Sequence, residues 1–259
     1  MTLVVRKENE GVKRYVHLGT GNYNATTAKI YTDFGLFTTN EAICSDVSDI
    51  FNYLTGYSHQ KIFQKLFVAP INMSDKFLGL IYRELENVKK GGTGHIVFKM
   101  NSLVDPRLIA ALYEASQVGV KIDLIIRGIC CLVPEMPGLS ENIRVISIVG
   151  RYLEHSRIYY TYNNGNEEIY LSSADLMPRN LYRRVEIAFP VEDEKLKLYL
   201  KEVVLRTYMK DNEKARVLHA DGKYKAPQHD SGEKKANAQE WFMEHTTKTA
   251  MKTNLRGKQ

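Results

Sequence analysis

Between residues 95 and 149 the chain alternates extended and helical patterns, and that alternation restricts the fold more than any other feature. HIVFKM (95–100) reads as a strand. DPRLIAALYEASQVG (105–119) has helical spacing, with Asp105 as cap and Pro106 in the first turn. KIDLIIRG (121–128) and IRVISIV (143–149) are rich in β-branched residues, as strands buried on both faces are. Strand–helix–strand order of this kind predicts a layered α/β domain. IYYTYN, EEIYLSS and RRVEIAF extend the sheet, and a helix over 192–209 with Leu196, Leu200, Val203 and Val204 inward is expected to pack on it.

Upstream, 2–7 and 13–18 read as a hairpin around Asn9-Glu10-Gly11, and Asn24 as the cap of a short helix carrying Ala28 and Tyr31. Helical spacing recurs over 40–56 (Ile43, Val47, Ile50, Phe51, Leu54) and 74–89 (Phe77, Leu80, Ile81, Leu85). Gly91, Gly92 and Gly94 follow and mark an expected boundary between half-domains. The polar stretch 211–235 reads as loop, 233–247 as a final helix and the last dozen residues as disordered. The expected division is 1–90, 91–215 and a tail over 216–259.

No run of about 18 uncharged apolar residues is present, so no membrane span is expected. A net charge of +6 favours a polyanionic partner. With only Cys44, Cys130 and Cys131, the last two adjacent and read as buried packing, a reducing cytoplasmic setting fits.

The chemistry concentrates in YLEHSRIYYTYNNGNEEIYLSSADLMPRNLYRRVE (152–186). On an extended segment residues i and i+2 share a face, so His155, Arg157 and Tyr159 are expected to point together. A lone strand histidine is more often a half-buried residue bonded to a carbonyl. A guanidinium two positions on, and the Ser-Ser-Ala-Asp turn, point instead to phosphate chemistry. Arg127 ends an apolar strand, the position from which side chains reach a ligand crevice, although an arginine there also suits a surface ion pair. The strand leading to GTGNYN (19–24) weakly parallels the one leading to SSADLMPRN (172–180). Two facing half-domains, each giving a Ser/Thr-Asn turn, would account for that. His59, His95, His219, His229 and His245 lack metal-ligand spacing and read as structural or surface residues, so no protein-held metal is expected.

His-x-Arg followed by S-S-A-D-x-x-x-x-N resembles one half of a phospholipase D-type site. YVHLGTGNYN, AKIYTDFGLFT, NSLVDPRLIAALYEASQVGVKIDLIIRGICCL and LSENIRVISIVGRYLEHSRI, in this order, resemble the C-terminal part of bacterial polyphosphate kinase over roughly residues 1–220. The resemblance implies a phospholipase D-like α/β fold of two half-domains, each a mixed sheet flanked by helices, the first incomplete. It implies reversible transfer of the ATP terminal phosphate to inorganic polyphosphate through a phosphohistidine, with Mg²⁺ accompanying ATP or ADP.

By the same resemblance His155 is the catalytic histidine that contacts the transferring phosphate, Arg127 contacts nucleotide phosphate and Tyr31 stacks on the base. Asn22, Arg157, Ser173, Asn180 and Arg183 are expected around the phosphates, with the serines and Asn180 positioning His155 and one arginine pairing Glu186. The histidine that becomes phosphorylated belongs to an element upstream of the segment matched here, so this chain by itself is expected to be inactive. The intact enzyme is expected to be a homo-oligomer without nucleic acid, and peripheral membrane association stays open. A phospholipase D-like phosphodiesterase and a non-catalytic nucleotide- or polyphosphate-binding fragment are the alternatives.

Overall fold

The computed structural model describes residues 1–57, 61–227 and 234–256. His59 and His229 lie outside them. In chain order the first elements are β1 (Thr2–Glu8), β2 (Gly11–Gly19), β3 (Tyr31–Thr32), β4 (Gly35–Thr38) and α1 (Glu41–Leu54). Next come β5 (Phe67–Ala69), α2 (Met73–Lys89), β6 (His95–Met100), α3 (Pro106–Gln117), β7 (Lys121–Ile126) and β8 (Ile143–Ile148). They are followed by β9 (Leu153–Glu154), β10 (Arg157–Thr161), β11 (Glu168–Ser172), α4 (Pro178–Tyr182) and β12 (Glu186–Pro190). The last are α5 (Glu194–Leu198), a π-helical segment (Tyr199–Leu205), α6 (Arg206–Met209), β13 (Ala215–Leu218), β14 (Tyr224–Lys225) and α7 (Ala238–Arg256).

Nine strands form one mixed sheet in the order β14-β13-β8-β7-β6-β10-β11-β12-β5. β6, β7 and β8 are parallel, and β10 turns antiparallel against β6 with Tyr159 opposite Phe98. Alternation sends Ile96, Phe98, Met100, Ile122, Leu124 and Ile126 to one face, where α2 and α3 cover them. Val97, Ile125, Ile146, Ile158 and Tyr160 go to the other, under α1, β2 and the 194–209 helix. The chain is therefore a mixed α/β protein with helices on both sides of its main sheet, as expected. Asp105 caps α3 by accepting from the Arg107 and Leu108 N–H groups, each at 3.1 Å.

Several elements depart from the sequence reading. Asn24 does accept the N–H groups of Thr26 and Thr27, but the turn it starts is a single 3-10 turn, Thr27–Lys29. Tyr31 is instead in β3, paired with Leu153. Leu196 is 44% exposed rather than inward; the π-helical turn after it rotates the apolar face, and Leu205 and Tyr208 are buried below. Within 211–235, β13 joins the main sheet beside β8; only Ala215 and Leu218 of its four residues are fully buried, too short a pattern to read. Cys131 is exposed, not packed, and Cys130 is partly buried. α7 runs on through residues expected to be disordered, to Arg256. β5 and α2, placed by sequence before the glycine boundary, belong to the main sheet and its core, through Ala188 opposite Phe67 and through Phe77 and Ile81.

β1, β2 and β4 form a separate three-stranded sheet. Its register puts Val4 opposite Tyr15 and both Thr2 and Phe37 opposite His17 on the outer face, where Phe37 is 83% exposed. Such an apolar face promotes association; Phe37→Ser is expected to lower the average mass of the chain in sedimentation at high concentration, and an unchanged mass would clear this face of the role. Phe77 is fully buried between the Phe67 ring at 5.6 Å and the Tyr159 ring at 4.5 Å. Phe77→Ala is expected to cost about 3–5 kcal/mol in urea unfolding.

Candidate functional site

The topology brings one end of several strands together. β6 and β7 run parallel and deliver Asn101 and Arg127 just past their carboxyl ends. The antiparallel β10 and β12 begin at that same end with Arg157 and Glu186, and β11 finishes there before Ser173. The turn after β2 adds Thr20 and Asn22, and β3 adds Tyr31. These residues, with His155, Asp175, Asn180, Arg179 and Arg184, line a polar cavity of about 300 Å³.

At its floor Arg157 and Asp175 form a bidentate pair, Nε to Oδ1 at 3.1 Å and Nη2 to Oδ2 at 3.0 Å. Both residues are buried. Asp175 Oδ1 also accepts the backbone N–H of Asn101 at 2.7 Å and its side-chain amide at 3.1 Å. Burial pushes the Asp175 carboxyl up, but Arg157 and then Asn101 hold it below the ordinary carboxylate value. The Asn101 side chain passes the order on: Oδ1 accepts Arg127 Nε at 2.8 Å and Nδ2 donates to the His155 carbonyl at 3.3 Å. Arg127 Nε donates also to the Glu154 carbonyl at 2.8 Å, so the guanidinium is fixed at its root while its two terminal nitrogens have no partner among the described residues.

His155 is oriented by Asp33. Nδ1 lies 2.9 Å and 3.0 Å from the two Asp33 oxygens. A carboxylate only accepts, so Nδ1 carries a hydrogen and, in the neutral ring, Nε2 is the acceptor nitrogen. Arg157 Nη1 lies 3.3 Å from Nδ1 and 3.1 Å from Nε2, against the face of the ring and not along the Nε2 lone pair. Asp33 is held in turn by Thr20 Oγ1 at 2.7 Å, and a Cβ on Gly21 would overlap the Asp33 carboxylate, so this turn requires glycine. The Tyr31 ring lies 4.8 Å from the imidazole.

Of the residues singled out from sequence, His155, Arg127, Tyr31, Asn22, Arg157, Ser173 and Asn180 line the one cavity. Arg183 is exposed and does not; Arg179 and Arg184 do. Ser173 and Asn180 do not touch His155. Both donate to Glu186, Asn180 Nδ2 at 2.7 Å, and among the described residues no arginine pairs with that carboxylate. The Asn180 Oδ1 is buried without a partner. Asp33 and Asn101 were not found from sequence, since each acts on a residue distant along the chain. Glu186 was expected to pair with an arginine and instead accepts from Ser173 and Asn180.

Residues 66–239 match the family model described as polyphosphate kinase C-terminal domain 2, and residues 1–60 match C-terminal domain 1. The chain belongs to the polyphosphate kinase family. It is 57% identical over 222 residues to the polyphosphate kinase of Synechocystis sp., covering 86% of this chain and 30% of that protein. To polyphosphate kinase 1 of Chlorobaculum tepidum it is 50% identical over 258 residues, 100% of this chain and 36% of the relative. The crystal structure of polyphosphate kinase from Porphyromonas gingivalis superposes with a TM-score of 0.88 at 44% identity, over 95% of this chain and 38% of that one. The chain thus spans about a third of the length of the polyphosphate kinases it matches.

The buried pair gives a prediction with a definite pH sign. Asp175 has a depressed folded pKa, so its stabilisation is present above the unfolded carboxylate value of about 3.9 and is lost as pH falls through the folded value. Asp175→Asn leaves Arg157 buried without its carboxylate and is expected to cost about 3–5 kcal/mol at pH 7. In denaturant unfolding that deficit should shrink below about pH 4; a deficit independent of pH would contradict the pairing.

Proposed function

We propose that this chain forms the nucleotide- and phosphate-contacting part of a kinase site, one that transfers the terminal phosphate of ATP reversibly to inorganic polyphosphate. The observation that carries the reading is the grouping, around one polar cavity, of a histidine held by Asp33 and three arginines, Arg127, Arg179 and Arg184, that have no carboxylate partner among the described residues. Phosphoryl transfer through a loose transition state asks mainly for positioning and charge neutralisation. Arg127 offers its two terminal nitrogens as a fork to a phosphate group. Arg179 and Arg184 supply positive charge along the cavity wall. When Nε2 of His155 binds a proton it becomes a donor to the phosphoryl oxygen, and Asp33 offsets the positive ring. Tyr31, at the cavity edge beside that imidazole, is the surface for the nucleotide base.

The resemblance assigns the covalent phosphohistidine to a separate, upstream element, and His155 is the histidine that lines this cavity. Magnesium does not fit as a resident ion. Asp33, Asp175 and Glu186 are committed to His155, Arg157 and the Ser173–Asn180 pair, and no cluster of three metal-binding side chains occurs among the described residues. It belongs with the nucleotide phosphates as part of the substrate. No helix among the described residues is long and apolar enough to cross a membrane, and the free thiols agree with a cytoplasmic setting.

Calorimetric titration with MgADP tests the reading. Binding is expected, weakened roughly tenfold or more in Arg127→Ala, since a charge-assisted hydrogen bond contributes about 1.5–3 kcal/mol. Arg183→Ala serves as the control with unchanged affinity. Equal affinity of the parent and Arg127→Ala would sink the assignment. ATP formation from MgADP and polyphosphate, lost in His155→Ala, would show that the cavity completes the transfer without a second histidine.

A further inference from the structure

We propose that Gln239, in the first turn of α7, is a positioning residue for His155 that acts through Glu154 and Lys99. The start of α7 is tightly built. Asp211 Oδ2 accepts the Ala238 N–H at 2.7 Å, while Oδ1 accepts the N–H groups of Glu213, Lys214 and Ala215. Asn212 exchanges hydrogen bonds with the backbone of Ala236 and donates to the Lys234 carbonyl. Asp211, Asn212, Ala238 and Gln239 are all buried. A helix needed only as a covering would not require so many committed polar groups at its first turn.

From that fixed point all three hydrogen bonds of the Gln239 amide go to the strand before His155. Oε1 accepts the Tyr152 N–H at 3.0 Å; Nε2 donates to the Tyr152 carbonyl at 2.9 Å and to Glu154 Oε1 at 2.7 Å. Gly150 permits the approach, because a Cβ there would come within 2.5 Å of Gln239 Oε1. Glu154 Oε2 then lies 3.2 Å from Lys99 Nζ and accepts from Thr32 Oγ1 at 3.2 Å. Lys99 Nζ donates to the Ser156 carbonyl at 3.2 Å and to its hydroxyl at 2.9 Å.

The two neighbours of His155 are thus held on the inner side by one connected network. On extended backbone, anchoring i−1 and i+1 on one face sets residue i on the other. For His155 the other face is the cavity. Lys99 and Glu154 are 2% and 4% exposed, so a loosened Glu154 would leave a buried ammonium without its counter-charge, and the network is held to one arrangement.

The test reads the imidazole directly. In the full chain labelled with ¹⁵N and ¹³C at histidine, the His155 ring signals are assigned by their loss in His155→Ala. Gln239→Met keeps the bulk and removes the amide. It is expected to shift or split the His155 ring signals, leave those of His95 and His219 in place, and weaken MgADP binding three- to tenfold. Gly150→Ala, which displaces the Gln239 amide without replacing it, is expected to act in the same direction and decides the matter if Gln239→Met does not fold. Unmoved His155 signals in either folded variant overturn the proposal and leave Gln239 as an anchor for α7 only. The inference rests on the phosphate-contacting reading of His155 for its consequence. Failure of the parent chain to bind MgADP would sink that reading while the ring signals still report the positioning.

Discussion

The bidentate contact between Arg157 and Asp175 is the interaction on which the rest of the site depends. Two opposite charges buried together are not intrinsically more stable than an apolar pair of the same shape. What this pair adds is direction. Asp175 spends its remaining lone pairs on the backbone and side chain of Asn101. Arg157 Nη1 donates to the Thr20 carbonyl and rests against the His155 ring. Four separate segments, the turns after β2 and β11, the end of β6 and the start of β10, are thereby set against one another at a single buried point.

The charge distribution around that point follows from it. Each carboxylate at the cavity has a partner: Asp33 has His155 and Thr20, Asp175 has Arg157 and Asn101, Glu186 has Ser173 and Asn180. The positive charge is only partly matched. Arg157 is neutralised, but Arg127, Arg179 and Arg184 have no carboxylate within ion-pairing distance among the described residues. The cavity therefore carries excess positive charge with its acidic groups already satisfied. That suits an anionic ligand, whose binding would be opposed by any free carboxylate.

Much of this was legible in the sequence because it is local. The His155-x-Arg157 spacing on one strand, Arg127 at a strand end and the cap at Asp105 all express relations within a few residues, and backbone geometry alone converts them into placement. The partners of those residues were not legible. Asp33 lies 122 positions from His155, and Asn101 lies 74 from Asp175. Nothing in a single chain marks such pairs until the sheet order is known. Glu186 was misread for the opposite reason: one of the arginines two and three positions away looked like its partner, but both are exposed, and the carboxylate accepts from Ser173 and Asn180. Leu196 failed because a 3.6-residue period was carried through a turn that widens.

The two segments matched by separate family models do not hold separate sites. Tyr31 and Thr32 pair in parallel with Leu153 and Glu154, the two residues before His155. The same stretch supplies Asp33 to the imidazole and the Thr32 hydroxyl to Glu154, and the turn before it supplies the Thr20 carbonyl to Arg157. Residues 1–60 thus contribute the group that fixes which nitrogen of His155 is free, while residues 66–239 contribute the histidine and the arginines. An imidazole without Asp33 could adopt either tautomer and swing about its side-chain torsions. Its selectivity for one nitrogen arises only where the segments meet, and so does the polar cavity that His155 lines.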